Sequence, residues 1–357
     1  MGDNIFLKYK DVPILYSPFF SFPLSKDRHS GFLFPTIGSS GESGTVISAP
    51  YYFNIADNMD ATITPTNFSG RGQMFEAEIR YKTKNSDTEF EVANMDKDDI
   101  TGKNRHAYFF RDSRTFSNTL KLKNKGVWEG TLVSSSINVG GISDLTYFDD
   151  FGNTVSRVGR THIKRNAEIN RIDYGSFGIL KTSVKATDYQ LAKTDLVEQY
   201  SVLPRVRVNF STHEKNEELL YKLDGEVSIF THTYDSKADG TRISLYPSIE
   251  YPFKRPGWEL RPKLGFKHRS YSLDKSDTGS ISQTTPIMSL RGKMIFDKMT
   301  GKSILQTLEP EMFFLYIPAS NQDAIPIFDA GENDLKYNLL SENKFYGEDR
   351  LNDAKQL

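Results

Sequence analysis

Apolar and charged residues alternate with a period of two along most of this 357-residue chain. In RGQMFEAEIRYK, residues 71–82, the side chains of Glu76, Glu78, Arg80 and Lys82 fall on one side of an extended strand, and apolar side chains fall on the other. A helix would instead place apolar residues three or four positions apart, so the pattern predicts strands with one apolar and one charged face. About a dozen such segments follow one another, which is typical of a large antiparallel sheet.

The charged face recurs in WELRPKLGFKHR, residues 258–269, where Arg261, Lys263, Lys267 and Arg269 stand among apolar residues. Cations on such a face could line the lumen of a barrel and meet phosphate groups. The same pattern is equally typical of a sheet that exposes one ordinary face to water. Both interpretations stay open at this point.

Hydropathy and charge exclude several other classes of protein. Residues 1–24 lack a basic region followed by an apolar run. A membrane-spanning helix needs about 18 consecutive apolar residues, and no segment of the sequence is that long. We therefore expect neither a signal peptide nor a transmembrane helix, although barrel strands escape this test because they alternate. The net charge of -1 and the pI of about 6.6 give no reason to expect a nucleic-acid partner.

Motifs for catalysis or metal binding are absent from the sequence. There is no cysteine, and the six histidines are scattered without metal-ligand spacing. Asp96, Asp98 and Asp99 lack the glycine and distal glutamate of a calcium loop, so we predict solvated loop charge, with a bound divalent cation as the minor alternative. The Gly/Ser-rich stretch 38–44 lacks the lysine of a phosphate-binding loop and is predicted to be a flexible linker. We expect no enzyme activity, no cofactor and no metal.

Two prolines interrupt APYYFNIADNMDATITPTNF, residues 49–68, which otherwise reads as a hairpin. Neither Pro50 nor Pro65 has an N–H to give to a ladder. Prolines are common at strand ends and bulges, and this is the plain structural explanation. The functional explanation is that the two residues weaken a seam that has to open.

Several segments together resemble a known family. From about residue 12 to the C-terminus, the order and spacing of these segments are similar to those of the LptD family, which assembles lipopolysaccharide in the outer membrane of Gram-negative bacteria. The segments are KDRHSGFLFPTIG, SAPYYFNIADNMDATITPTNFSGRGQMFEAEIRY, SDLTYFDDFGN, QTLEPEMFFLYIP and FYGEDRLNDAKQ.

The resemblance implies an all-β protein, with a large antiparallel transmembrane β-barrel preceded by a periplasmic β-jellyroll. Residues 1–24 would be the last jellyroll strands, residues 25–43 a linker, and residues 44–357 the N-terminal part of the barrel, with about a dozen strands. Family members also have a signal sequence, more jellyroll and later barrel strands, so the chain is expected to be an internal fragment. Many members have cysteines that tie jellyroll to barrel, and this chain has none.

The resemblance also implies a function, which is transport of lipopolysaccharide into the outer leaflet through a barrel with a lateral gate. Pro50 and Pro65 match the prolines that the family uses to loosen this gate. The implied partners are lipopolysaccharide, an LptE-like lipoprotein plug and an LptA-like periplasmic bridge, with the N-terminal end in the periplasm. Candidate residues for the end of an acyl-chain slide are Ile14, Tyr16, Phe19, Phe20 and Phe22, for which ordinary jellyroll packing is the competing explanation.

Two other classes of protein fit the same alternation. A porin-like channel would have a barrel of this kind without a gate. A soluble β-rich protein that binds or cleaves carbohydrate would turn its apolar faces toward each other, and the aromatic residues and carboxylates suit a sugar.

Overall fold

The computed structural model describes residues 2–9, 12–20, 27–116, 128–152, 161–194, 196–274, 279–300, 304–332 and 340–356. In the N-terminal part the strands are β1 (Gly2–Tyr9), β2 (Val12–Phe20), β3 (Gly31–Phe32), β4 (Thr36–Ser40), β5 (Gly44–Ser48), β6 (Tyr51–Ala56), β7 (Met59–Phe68), β8 (Gly72–Lys82) and β9 (Ser86–Met95). They are followed by β10 (Arg105–Phe116), β11 (Trp128–Ile142), β12 (His162–Gly175), β13 (Gly178–Leu191), β14 (Ser201–Thr212), β15 (Leu220–Thr231), β16 (Asp239–Glu250), β17 (Phe253–Arg255) and β18 (Trp258–Asp274). The last strands are β19 (Ser280–Met294), β20 (Phe296–Thr300), β21 (Ile304–Leu308), β22 (Glu311–Ile317), β23 (Gly331–Glu332), β24 (Phe345–Tyr346) and β25 (Ala354–Gln356).

The all-β prediction is confirmed. The alternating segments 71–82 and 258–269 form β8 and the first part of β18, and the ladders that join β10 to β16 and β18 to β19 are antiparallel. Within the ranges given above, the one α-helix is α1 (Tyr147–Phe151), and no helix is long and apolar enough to cross a membrane. The long consecutive strands are those of a β-barrel wall, which is the predicted fold class.

The chain divides into two compact units, and the first consists of residues 1–82 and 89–106. In this unit β4 pairs with β5, both β5 and β6 pair with β7, and β7 pairs with β8. The prediction of a flexible linker at 38–44 is wrong, because Thr36–Ser40 and Gly44–Ser48 pair as a hairpin. Gly44 has a φ of +70° at the end of its turn, a conformation that glycine adopts without strain. The expected boundaries at residues 24 and 43 stay a prediction.

The second unit consists of residues 83–88 and 107–357. From β10 to β16 each strand pairs with the next along the chain, and the sheet continues through β18, β19, β22 and β25. The register is long and regular, as in the β18–β19 ladder, which runs from Trp258↔Met294 to Ser272↔Ser280. Such a ladder leaves few backbone groups unpaired, which is what a wall in lipid requires.

Burial in this second unit is reversed relative to a soluble protein. Along β16, Arg242 and Ser244 are buried, whereas the intervening Ile243 and Leu245 are 41% and 42% exposed. In β15, Glu226 is buried and its neighbour Val227 is exposed. We call the side of β14–β19 that carries Arg242 the polar face. A sheet that exposes its apolar face and buries its polar face suits a lipid environment outside and a polar environment inside.

The described residues between β22 and β25 lie against the polar face, and we call them the 318–353 segment. The structure describes residues 318–332 and 340–353 of it. Phe328 stacks on Phe230 of β15 with ring centroids 4.4 Å apart and an interplanar angle of 6°. Leu351 packs with Tyr246 of β16 in a second buried cluster. These contacts give the polar face a small apolar core around its charges.

Candidate functional site

The two prolines lie at one interruption between β5 and β6: Pro50 is part of it, and Pro65 lies beside it on the neighbouring strand β7. β5 and β6 keep a single register against β7, with Ser48↔Thr66 before the interruption and Tyr51↔Ile63 after it. Ala49 and Pro50 form the interruption, and the register places Ala49 opposite Pro65. We refer to residues 44–56 as the proline strand.

Each proline removes one ladder hydrogen bond from this strand. The Ala49 N–H donates to the Pro65 carbonyl at 3.1 Å, and the Leu33 N–H donates to the Pro50 carbonyl at 2.9 Å. In an antiparallel ladder such pairs normally exchange two bonds. The return bonds from positions 65 and 50 are missing because proline has no N–H. The proline strand therefore loses one bond toward β7 and one toward β3.

The edge of the proline strand opposite β7 is covered by short ladders. β3 contributes the pairs Gly31↔Tyr52 and Phe32↔Tyr51, and β4 covers only Gly44–Ser48. By contrast, the β7–β8 ladder in the same unit runs without a break from Met59↔Tyr81 to Phe68↔Gly72. Fewer backbone bonds hold this edge than hold β7 to β8, so it separates at lower cost than the β7–β8 ladder.

The predicted charged residues of β8 lie on one side of that strand. Arg80 donates through Nε to Asp60 Oδ1 at 2.7 Å and lies 3.8 Å from a carboxylate oxygen of Glu78. Glu76 is partly buried and Lys82 is exposed. Glu78 also gathers with Glu89 and Glu91 of β9, with one oxygen of each within 4.8 Å of the others, a grouping that the sequence pattern did not reveal. Carboxylates gathered in this way do not by themselves define a metal site.

The candidate slide residues lie partly outside the described structure. Ile14, Tyr16, Phe19 and Phe20 belong to β2, which pairs with β1 over Gly2–Tyr9. Phe22 lies outside the described residues. The role of these residues stays a prediction.

The loop between β9 and β10 is held by a buried carboxylate. Asp98 is fully buried and accepts from Arg71 Nη1 at 2.8 Å and Arg105 Nη1 at 3.0 Å. Burial alone would raise the pKa of Asp98, but hydrogen bonds from the Ile100 N–H and Arg71, together with the field of both arginines, hold it below its ordinary value. The prediction of solvated loop charge is therefore wrong for Asp98, which clamps a turn.

The predicted cations of β18 meet carboxylates. Arg261 pairs with Glu214 at 2.8 Å and with Glu250 at 2.9 Å. Hydrogen bonds from Arg261, and then from Lys254, lower the pKa of Glu214 to about 2. The other three predicted cations contact the 318–353 segment, as Lys263 with Glu342 at 2.9 Å, Lys267 with Glu348, and Arg269 with the carbonyl of Asp349 at 3.0 Å.

Arg242 of β16 is the centre of this network, and sequence reasoning missed it. Its guanidinium is fully buried and lies 2.5 Å from Glu226, 2.6 Å from Asp329 and 2.5 Å from Asp349. Arg205 of β14 also pairs with Asp329. The signal in the sequence was weak, because Arg242 stands singly in DGTRISLYPSIE and not in a row of charges.

Two aspartates of the 318–353 segment are fixed by this network. Burial alone would raise the pKa of Asp329, but the Arg242 hydrogen bond and the fields of Arg242 and Arg205 lower it to about 2. Asp349 accepts at 2.8 Å from the backbone N–H groups of both Phe328 and Asp329. Asp329 therefore acts as a charged acceptor, and Asp349 joins the backbone of the segment to Arg242.

A cavity of about 350 Å³ lies next to this network in the second unit. Lys222, Arg261, Lys263 and Arg291 line it, together with Glu250 and Glu342. Arg291 donates to the Leu340 carbonyl at 2.9 Å and stacks over Phe313. The lining is polar and has more cations than carboxylates among these six residues.

An antiparallel sheet with an exposed apolar face and a buried, ion-paired polar face is characteristic of membrane β-barrel proteins. The family comparison is more specific. Residues 103–357 match the family model described as LPS transport system D, and residues 3–86 match the model described as LptD protein. The chain belongs to the LptD family.

Curated relatives carry the same name. The chain is 32% identical over 98% of its length to the LPS-assembly protein LptD of Aromatoleum aromaticum, and 33% identical over its full length to that of Chromobacterium violaceum. It covers 43% and 45% of those proteins, so it spans less than half the length of these two relatives. A solved structure, a bacterial polysaccharide outer membrane secretin, is similar with a TM-score of 0.30 and 12% identity, over 80% of this chain and 94% of that one.

Proposed function

We propose that this chain is the part of a lipopolysaccharide-assembly protein that carries lipopolysaccharide into the outer leaflet of a Gram-negative outer membrane. The observation that supports this most strongly is the family match over residues 103–357. The exposed apolar face of β15 and β16 is consistent with a wall in contact with lipid. Transport of this kind needs no covalent chemistry, so the chain acts as a conduit and not as an enzyme.

A lateral gate at the proline strand solves the physical problem of the substrate. Lipopolysaccharide has acyl chains that are stable in the membrane and a saccharide that is not. A wall that parts sideways lets the saccharide pass through the interior while the acyl chains leave into lipid. The missing bonds at Pro50 and Pro65 and the short β3 and β4 ladders make the proline strand the candidate for that opening.

The proposal includes an entry path and partners. Residues 1–24 would receive lipopolysaccharide from an LptA-like periplasmic bridge, with Ile14, Tyr16, Phe19, Phe20 and Phe22 along the acyl-chain path. An LptE-like lipoprotein would fill the barrel. In this arrangement the charges of β8 and β18 face the interior.

Depletion of the full-length protein in the cells that make it tests the proposed function. We expect newly made lipopolysaccharide to stop reaching the cell surface and to accumulate inside, and re-expression to restore export. Normal surface delivery after depletion would contradict the proposal. Conductance of the purified complex in planar bilayers separates the porin-like alternative, because an open channel conducts steadily and a filled barrel does not.

A further inference from the structure

Four cations of the polar face are paired with carboxylates of the 318–353 segment. The cations come from three different strands, β14, β16 and β18. The segment supplies carboxylates from both sides of residues 333–339, which lie outside the described structure. The pairs are Arg205 and Arg242 with Asp329, Arg242 with Asp349, Lys263 with Glu342, and Lys267 with Glu348.

The geometry at Arg242 is that of a bound oxyanion. Nη1 donates to Asp329 Oδ1 at 2.6 Å and Nη2 donates to Asp329 Oδ2 at 3.0 Å, which is a bidentate fork. Asp349 Oδ1 accepts from the same Nη1 at 2.5 Å. Phosphate satisfies the same donor geometry as a carboxylate. Glu226 of β15 stays beside Arg242 at 2.5 Å when these aspartates leave, and an anion that takes their place restores the remaining charged hydrogen bonds of the buried guanidinium.

The partly exposed pairs of Lys263 and Lys267 with the segment also indicate anion binding. The side chains of Lys263 and Lys267 are 17% and 13% exposed, and those of Glu342 and Glu348 are 24% and 26% exposed. Glu342 lies beside the cavity of about 350 Å³, which has Arg261 and Arg291 on its walls. An anion in this cavity therefore contacts Lys263, whereas Arg242 is fully buried and is not among the residues that line the cavity.

The backbone of the segment allows release without loss of the wall. Its described strands β23 and β24 pair with each other, as Gly331↔Tyr346 and Glu332↔Phe345, and not with β14–β19. The contacts that hold the segment to the polar face include side-chain ion pairs, hydrogen bonds, and the apolar packing of Ile325, Phe328 and Leu351. Displacing the segment breaks these contacts and leaves the long ladders intact.

We infer that the cations of β14, β16 and β18 form a binding track for the phosphate groups of a phosphorylated saccharide. In the absence of substrate, the carboxylates of the 318–353 segment occupy this track, and substrate displaces them. This inference rests on the proposed function and names a site for its substrate. The track begins at Lys263 and Lys267 and ends at Arg242. Phosphate competes with carboxylate for the same donors, so binding of the substrate itself displaces the 318–353 segment from the cations.

Hydrogen exchange on the full-length protein, purified with its lipoprotein partner in detergent, tests the inference. The reporters are the amides of Phe328 and Asp329, which donate to Asp349 at 2.8 Å. The probes are purified lipopolysaccharide, the same lipopolysaccharide stripped of phosphate with hydrofluoric acid, and inorganic phosphate at equal concentration. We expect intact lipopolysaccharide to speed reporter exchange about tenfold or more, with little effect of the stripped form.

A charge-neutral variant sharpens the measurement. Glu342→Gln with Glu348→Gln removes two of the competing carboxylates and keeps the side-chain length, so the lipopolysaccharide concentration for half-maximal release should fall about fivefold or more. The matched control is Glu332→Gln, because Glu332 pairs with Lys344 inside the segment at 3.1 Å. The control should leave the midpoint unchanged.

Each outcome decides between explanations. Equal release by the stripped form, or no release while lipopolysaccharide binds, overturns the inference and leaves the proposed function standing. Equal release by inorganic phosphate identifies a site for the free anion and overturns the link to the saccharide. Failure of lipopolysaccharide to bind the complex at all overturns both the inference and the proposed function.

Discussion

Restoring the missing ladder bonds should tighten the proline strand by a predictable amount. Pro65→Ala supplies an N–H opposite the Ala49 carbonyl, and Pro50→Ala supplies one opposite the Leu33 carbonyl, where single bonds now exist. One such bond contributes a net about 0.5–1.5 kcal/mol, so the double variant should stabilise the closed edge by about 1–3 kcal/mol. This corresponds to an opening equilibrium that is about 5- to 150-fold less favourable.

The assay is the rate at which newly made lipopolysaccharide reaches the cell surface after a pulse of label. We expect slower delivery in each single variant and the slowest in the double variant, with slowed amide exchange at position 65. Global stability need not rise, because alanine also gives the unfolded chain more freedom, worth about 0.4–1 kcal/mol per site.

The matched control is Pro262→Ala. The Tyr251 N–H donates to the Pro262 carbonyl at 3.0 Å, so this change adds the same kind of bond in the β16–β18 wall. It should leave delivery unchanged. Unchanged delivery in the double variant, with a protected amide at position 65, would refute the reasoning, since the edge would then be tighter without consequence for export.

Three further predictions concern the loops and the 318–353 segment. Gly347→Ala should loosen the segment, seen as faster proteolysis there, because Gly347 has a φ of +73° and an added Cβ would lie 2.5 Å from the Asp329 carbonyl oxygen; wild-type resistance to protease would contradict this. Asp98→Asn should lower the free energy of unfolding in detergent by about 3–5 kcal/mol, because it removes the buried carboxylate that Arg71 and Arg105 share; a loss below about 1 kcal/mol would show that the clamp is solvated. The folded pKa of Asp329, about 2, lies below the ordinary aspartate value of 3.8, so its contribution to stability is present above pH 3.8 and is lost as the pH falls toward 2. That contribution is about 2 kcal/mol, and Asp329→Asn should remove this part of the acid dependence of unfolding, whereas an unchanged acid profile would contradict the assignment.

The strands were predictable because the alternation of side chains is a local property. The alternation within segments such as 71–82 and 258–269 is enough to predict a strand in each, and the structure has β8 and β18 there. The Gly/Ser-rich stretch 38–44 was misjudged, because composition does not reveal that β5 offers a partner to β4.

The network at Arg242 was not predictable from the sequence. Its partners Glu226, Asp329 and Asp349 lie 16, 87 and 107 positions away, and no local pattern connects them. The sequence also does not distinguish the roles of neighbouring acidic loop residues. Asp98 is a buried clamp and Asp96 is exposed, although both belong to one acidic run. Charges in loops take their role from the surface on which the loop folds, and that surface is fixed by distant strands.

Site-specific photo-crosslinking at the proline strand tests the central claim most directly. A photoreactive phenylalanine at position 53, next to the interruption and 38% exposed, is compared with one at position 266, which is 48% exposed in the β18–β19 wall. If lipopolysaccharide leaves through the proline strand, newly made molecules crosslink at position 53 during the pulse, and at position 266 only after they have entered the membrane. Simultaneous labelling at both positions, or labelling at position 266 alone, would contradict export through this gate.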